Sequence, residues 1–238
     1  MIPGIVASSA ITAPSTELDD YAGATIIMDF ENDVYQVSGS DVDVSTLIDR
    51  TNTLTAGGLV LDWNTEEPPI DLLTAFSSVL DEVNGYTMLF DFDQFESGTT
   101  YVGVLLRFFN GTFDSGAGGR NDFQAAINDA RTEAYFLRLN AGDYTRVESF
   151  SASHSLSDGA PRRLAISRAP TRIAISVNGA ATTVQNAETG SVAGTPAYTT
   201  HTLGGNPGED YLDINCVLRK LIVYPLKSDS SLPALSSI

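Results

Sequence analysis

The sequence predicts an all-β protein, a sandwich or barrel of short antiparallel strands, and three observations carry that expectation. Residues 162–185, RRLAISRAPTRIAISVNGAATTVQ, alternate apolar with small or polar side chains at Leu164 and Ile166 and again at Ile173, Ile175 and Val177, the period of a half-buried strand. Asn178-Gly179 follows, the pair that most readily takes positive φ, as a type I′ hairpin requires. Three antiparallel strands joined by two tight reversals are expected there. The rest of the chain offers many more short alternating segments separated by turn residues and few with helical spacing, the pattern of a sandwich or barrel. A length of 238 residues suits one large β domain with a single core, and no repeat of solenoid or propeller period is present.

The elements follow in order. Residues 1–20 are rich in Ala, Ser, Thr and Pro without apolar periodicity, so an extended arm is expected over 1–22, ahead of a domain at 23–227 and a tail at 228–238. Residues 25–30 and 34–37 form a first hairpin around Glu31-Asn32-Asp33. A short strand follows the Gly57-Gly58 break at 59–62. Apolar residues at 72, 73, 76, 79, 80 and 83, between Pro68-Pro69 and Asn84-Gly85, predict a helix over 70–83. In YTMLFDFD, residues 86–93, Tyr86, Met88, Phe90 and Phe92 share one face and Thr87, Leu89, Asp91 and Asp93 the other. The aromatic face is expected to look into the sandwich.

Residues 101–109 are apolar on both faces, as in a central strand, and a Gly-rich loop follows. Residues 123–130 have helical spacing at Phe123, Ala126, Ile127 and Ala130; a strand is the alternative. Residues 135–139 and 144–150 pair around 140–143. In the last strand Val217, Leu221 and Val223 are expected opposite Leu218, Ile222 and Tyr224, with Pro225 ending it.

Three stretches carry a resemblance. They are Arg163-Leu164-Ala165-Ile166 meeting Val177-Asn178-Gly179, then Leu203-Gly204-Gly205-Asn206 followed by YLDINCVLRKLIVYP at 211–225, and the opening Asp29-Phe30 with Tyr35. In these the chain resembles phage and prophage virion proteins with a concanavalin A-like, laminin G-like jelly roll, over most of residues 25–226. The start MIPGIVAS is similar to that of several phage structural proteins. The chain departs from the pattern at Asn215-Cys216, where the family has Asn-Gly.

The resemblance implies a two-sheet antiparallel jelly-roll sandwich with one or two short helices, an extended N-terminal arm, and a strand at 123–130. It also implies a non-enzymatic virion structural protein, a head decoration, collar or tail appendage, assembled in the host cytoplasm. Its expected partners are capsid, collar or tail proteins, further copies of itself, and host or environmental glycans. Ile2, Ile5, Val6 and Ile11 would bury as the arm folds onto a partner. In the alternative reading, a carbohydrate-binding lectin, Trp63, Asn110, Arg120, His201 and Asn206 would wall the glycan site.

Charge limits the partners. The formal net charge is −17, which repels phosphate backbones and anionic lipid, so neither nucleic acid nor a membrane is an expected partner. No apolar run approaches the roughly 20 residues of a spanning helix, and the N-terminus lacks the basic region of a signal peptide. Solubility is the plain reading of the charge. Ca²⁺, which takes about six to eight oxygens, is the one cation such carboxylates would hold, with Asp91 and Asp93 as candidates beside Asp19-Asp20 and Asp41 with Asp43. The two histidines and the lone Cys216 make no zinc spacing, and Cys216 is expected as a small buried hydrophobe.

One constellation could carry chemistry. Asp91-Phe92-Asp93-Gln94-Phe95-Glu96 approximates the Glu-x-Asp-x-x-Glu of jelly-roll glucanases, in which a bulge returns the last carboxylate to the catalytic face. Asp91 is a methylene shorter than the nucleophile's Glu, and a retaining site needs its carboxyls about 5 to 5.5 Å apart. The expectation is therefore that Asp91 and Asp93 lie on the solvated face of an amphipathic strand and that the protein is not an enzyme. Arg162, Arg163, Arg168 and Arg172 are expected on a solvated hairpin face, or docked on a neighbouring subunit's carboxylates.

Overall fold

The computed structural model describes residues 20–44, 48, 54–61, 70, 73–81, 83–96, 103–110, 120–128, 131–139, 146–155, 163–169, 172–186, 200–204 and 215–237. The hairpins marked most clearly in the sequence form as expected. β11 (Arg163–Ala169) pairs with β12 (Arg172–Val177), which pairs with β13 (Thr183–Asn186). Asn178 and Gly179 turn the chain at φ of 49° and 76°, the two positive values a type I′ turn demands. The Asn178 side-chain oxygen also accepts the Arg163 N–H at 3.0 Å, so the turn is tied to the start of β11.

From that hairpin the large sheet runs on through β6 (Tyr86–Glu96), β15 (Asn215–Pro225), β1 (Ile26–Asp29), β2 (Val34–Val37) and β3 (Ser40–Asp41). Beyond the end of β1, β5 (Gly58–Leu61) takes over the same edge of β15 at Cys216–Leu218 and carries β4 (Leu54–Thr55). The second sheet is ordered β10 (Arg146–Ser155), β9 (Arg131–Leu139), β8 (Arg120–Asn128), β7 (Gly103–Asn110) and β14 (Thr200–Leu203). Every pairing among the described residues is antiparallel. The fold is the two-sheet jelly-roll sandwich expected, closed by first and last strands lying side by side.

Two ambiguous or mistaken elements find their reasons in long-range pairing. Residues 120–128 are a strand because both ladders of β8 are taken, by β7 and by β9; the helical spacing there is incidental. The helix expected over 70–83 is a 3-10 helix, Leu73–Val79. It cannot begin earlier because Ile70 exchanges both backbone hydrogen bonds with Leu203 of β14, at 3.0 and 2.8 Å. It cannot run on because the Asp81 carboxylate accepts the N–H groups of Val83 and Asn84 and turns the chain.

The core lies between the sheets. Tyr86, Met88, Phe90 and Phe92 face it as expected, with Leu164, Ile166, Ile173 and Ile175 beside them and Leu105, Leu106 and Phe108 opposite. The outer face of the large sheet is also covered. Ile27, Leu89, Ile222 and Tyr224 form a second apolar layer under Tyr21, Ala24 and Leu235, and Ala165 and Ala174 make room for Leu232.

Residues 228–238, expected as a tail, therefore include a packed strap of a 3-10 turn, Asp229–Ser231, and a short α-helix, Leu232–Leu235. Small hydroxyls sew the strap down. Ser236 Oγ meets Ser176 Oγ at 2.8 Å and accepts the Gly179 N–H at 3.1 Å, while Thr87 Oγ1 accepts the Lys227 N–H at 2.9 Å. These partners explain how Thr87, Ser167, Ser176 and Ser236 are buried without stranding a polar group.

Gly85 sets the entry to β6. It sits at φ +100°, and a Cβ there would lie 2.2 Å from the Arg168 carbonyl oxygen, so both backbone strain and a rigid clash oppose any side chain. Gly39 has φ +77° with nothing within 4 Å. Gly39→Ala is expected to cost about 1 to 2 kcal/mol from left-handed strain alone, and Gly85→Ala distinctly more, as read from urea midpoints of the two variants.

Candidate functional site

The charged groups nearest the expected chemistry are arranged by strand register. In the last strand Leu218 opposes Phe92 and Lys220 opposes Asp91, leaving Arg219 as an extra residue. This bulge lets Arg219 and Lys220 both lie on the outer side while Leu218, Leu221 and Val223 all enter the core. The expected grouping of Val217 with Leu221 and Val223 is thereby corrected: the parity changes at Arg219, and Leu218 belongs with them.

Register then places Asp29, Lys220, Asp91 and Arg163 in a row across β1, β15, β6 and β11. Their charges alternate. Lys220 Nζ is 3.4 Å from Asp29 Oδ2, Arg219 donates to Asp91 Oδ1 through Nε at 3.0 Å and through its terminal nitrogen, and Arg163 Nε lies 3.7 Å from Asp91 Oδ2. Asp20 closes the row on Arg163 at 3.0 Å. Asp29 also accepts from Tyr21, from the Asn32 N–H at 2.9 Å and from Asn32 Nδ2 at 3.1 Å.

Asp91 is thus not on a solvated face. It is 7% exposed, and its carboxylate is taken up by two guanidinium groups rather than presented to a sugar or a cation. Gln94 does form the inserted residue anticipated between Asp93 and Glu96, since Asp93 opposes Val217 and Phe95 opposes Cys216; the side chains of Asp93 and Glu96 lie outside the described residues. No group of three or more His, Cys, Asp or Glu side chains among the described residues could hold a metal ion.

The arginines, expected on a solvated or docking face, serve the chain itself. Arg163 pairs with Asp20 and Asp91, Arg172 with Asp229 of the strap, and Arg168 is 2% exposed with its guanidinium 5.5 Å from the centre of the Tyr86 ring. Arg162 lies outside the described residues. Cys216 is buried as expected, and burial pushes its thiol pKa far up.

Of the expected glycan wall, His201 is corrected. It is 1% exposed, stands edge-on to Phe108 at 4.5 Å, and is fixed by Thr74, whose Oγ1 accepts the His201 N–H at 2.8 Å and lies 3.4 Å from Nδ1. β14 places it inside the sandwich beneath the 3-10 helix, where no glycan reaches. Asn110 ends β7 and Arg120 begins β8, with their side chains outside the described residues. Trp63, Asn206, Ile2, Ile5, Val6 and Ile11 also lie outside them.

A groove that sequence reading missed opens beside the first hairpin. Asp33, Tyr35, Val42, Asp43, Val44 and Leu54 line about 320 Å³. Asp33, at φ +62°, makes the hairpin turn, and its carboxylate accepts the Tyr35 hydroxyl at 3.0 Å. Burial, the hydrogen bond to Asp33 and the charges of Asp33 and Asp29 hold that phenol protonated far above its usual range. Phe30 braces the ring with its centre 5.9 Å away. The groove thus combines a braced aromatic ring and two carboxylates with an apolar floor. Its sequence signal was the Asp33-x-Tyr35 spacing facing the alternation of Val42, Asp43 and Val44.

No family model matches the chain, and no curated protein matches it. Solved structures do resemble it. The CBM40 of the Ruminococcus gnavus IT-sialidase aligns over 76% of this chain and 93% of that one at 15% identity and a TM-score of 0.46. Mouse laminin alpha1 chain domains LG4-5 align over 59% and 34% at 14% identity and 0.32. Domain 4 of AbnA, a GH43 extracellular arabinanase from Geobacillus stearothermophilus, solved with arabinotriose, aligns over 67% and 68% at 12% identity and 0.38. At these levels no ligand or reaction follows from the likeness.

His201 makes stability depend on pH. Burial first, then the nearby Arg168 charge, lowers its pKa to about 4. The unfolded chain takes up this proton near 6.5 while the folded one refuses it until about 4, so the contribution is full above about 6.5 and is lost as pH falls toward 4, by about 3 kcal/mol in all. Melting curves from pH 7.5 to 4 are expected to show this fall, and His201→Gln to be flatter over the same window.

Proposed function

We propose that this chain is a non-enzymatic jelly-roll display domain that adheres to neutral glycans through the groove around Tyr35. The observation that carries the reading is the groove itself. A ring face can stack on the C–H side of a pyranose while fixed oxygens take its hydroxyls, and a volume near the lower end of the usual range of about 300 to 1,000 Å³ for ligand sites suits one or two sugar units. Asp33, Asp43 and the net charge of −17 disfavour anionic sugars. The engagement of Asp91 by Arg219 and Arg163 supports a binding role over hydrolysis, because a nucleophile needs its carboxylate open to the anomeric carbon.

The virion setting rests on the sequence resemblance. In this reading the domain is mounted on a head, collar or tail, assembled in the host cytoplasm, and the arm makes the attachment, shortened from the expected 1–22 to 1–19 because Asp20 and Tyr21 pack on the large sheet.

Two measurements test these parts separately. On an array of neutral and sialylated glycans the protein is expected to retain neutral ones, and Tyr35→Ala to weaken that binding by about 5- to 12-fold, the loss of one aromatic contact worth about 1 to 1.5 kcal/mol; retention of anionic glycans alone, or an unaffected variant, overturns the groove. A chain lacking residues 1–19 is expected to fold with an unchanged circular dichroism spectrum yet fail to join particles. Normal incorporation would rule out the arm.

A further inference from the structure

We propose that Asp29 and Lys220 condense to a side-chain amide that covalently joins β1 to β15. The two residues are direct register partners on adjacent strands, with Nζ and Oδ2 3.4 Å apart and side chains 5% and 0% exposed. They lie in the apolar outer layer of Ile27, Leu89, Ile222 and Tyr224, and the centre of the Tyr21 ring is 5.9 Å from Nζ. An ion pair held this far from water bears a large desolvation cost, which an uncharged amide does not.

The carboxyl group is held in place by three donors. The Asn32 N–H meets Oδ1 at 2.9 Å, and Asn32 Nδ2 and the Tyr21 hydroxyl both donate to Oδ2. A proton passes from the Lys220 ammonium to Oδ2, and the freed lone pair on Nζ adds to Cγ. The negative charge that develops on Oδ1 is met by the Asn32 N–H. A second proton passes from nitrogen to Oδ2, the Cγ–Oδ2 bond breaks, and Oδ2 leaves as water while the C–N bond remains. Ammonium plus carboxylate gives amide plus water, so no oxidant, cofactor or third reactant is required.

Proximity supplies the drive. Well-oriented neighbouring groups reach effective concentrations of about 10⁵ M or more, and the released water leaves an apolar layer. The bond would fasten the first strand of the sandwich to the last.

The test is the intact mass of the full chain under denaturing conditions. The expected mass is below the sequence mass by one water, and tryptic digestion is expected to yield one branched peptide joining Asp29 to Lys220. Lys220→Arg, which keeps the charge, is expected to show the full mass, a folded circular dichroism spectrum and a lower melting midpoint. A wild-type chain of full mass after prolonged incubation overturns the proposal without need of any variant. So does a water loss that maps to other residues.

Discussion

The alternating row of charge across β1, β15, β6 and β11 is the constraint on which the rest of this sandwich depends. Charged side chains on one sheet face are costly to enclose, and the register sets each beside its opposite. A slip of one residue anywhere among these strands would turn a charge into the core and an apolar side chain out. The same register that joins Asp29 to Lys220 and Asp91 to Arg163 brings Met88, Phe90, Ile166 and Val223 together on the other side. Polar specificity on one face and apolar packing on the other are thus two readings of one alignment.

That alignment exists because the last strand carries an extra residue. Without the bulge at Arg219, Lys220 would point into the sandwich and Leu221 out of it, and neither the ionic row nor the aromatic core could close. The bulge also brings a second cation to Asp91, so a carboxylate flanked by two strands' worth of positive charge ends up nearly enclosed. The strap and residues 20–24 complete the enclosure. Sheets of this kind often leave one face to water, whereas here the central strands are buried on both.

Local patterning was legible and long-range partnership was not. Asn178-Gly179 announced its turn, and the alternation in 86–92 and 172–177 announced which side faces the core, because both depend on neighbours in sequence. The parity change at Arg219 has no local mark, since Leu218, Lys220 and Leu221 read as well without it. Ile70 looked helical until its backbone bonds were claimed by Leu203, and the strap looked like a loose terminus because the partners of Ser236 lie 57 to 60 residues away. For the site, the sequence drew the eye to Asp91, Asp93 and to His201, whose residue types are those of chemistry. The structure shows Asp91 and His201 serving architecture, one in an ionic row and one edge-on to Phe108 and tied to Thr74. Tyr35 and Asp33, read in the sequence as parts of a hairpin and of a family resemblance, become a groove only when residues 42–44 and 54 come alongside.

Pairing the first strand with the last has a cost in time. Thr25 and Val223, hydrogen-bonded neighbours, are 198 residues apart, which at usual rates of translation, about 5 to 20 residues per second, leaves β1 waiting about 10 to 40 s on the ribosome before β15 emerges. Through that interval β2 is the one strand partner of β1 already made, among the described residues, and the β1 edge that β15 will take stays open to wrong partners. Faster elongation through residues 60–215, or a chaperone that holds the opening hairpin, would shorten the vulnerable period more than any change to the finished sandwich.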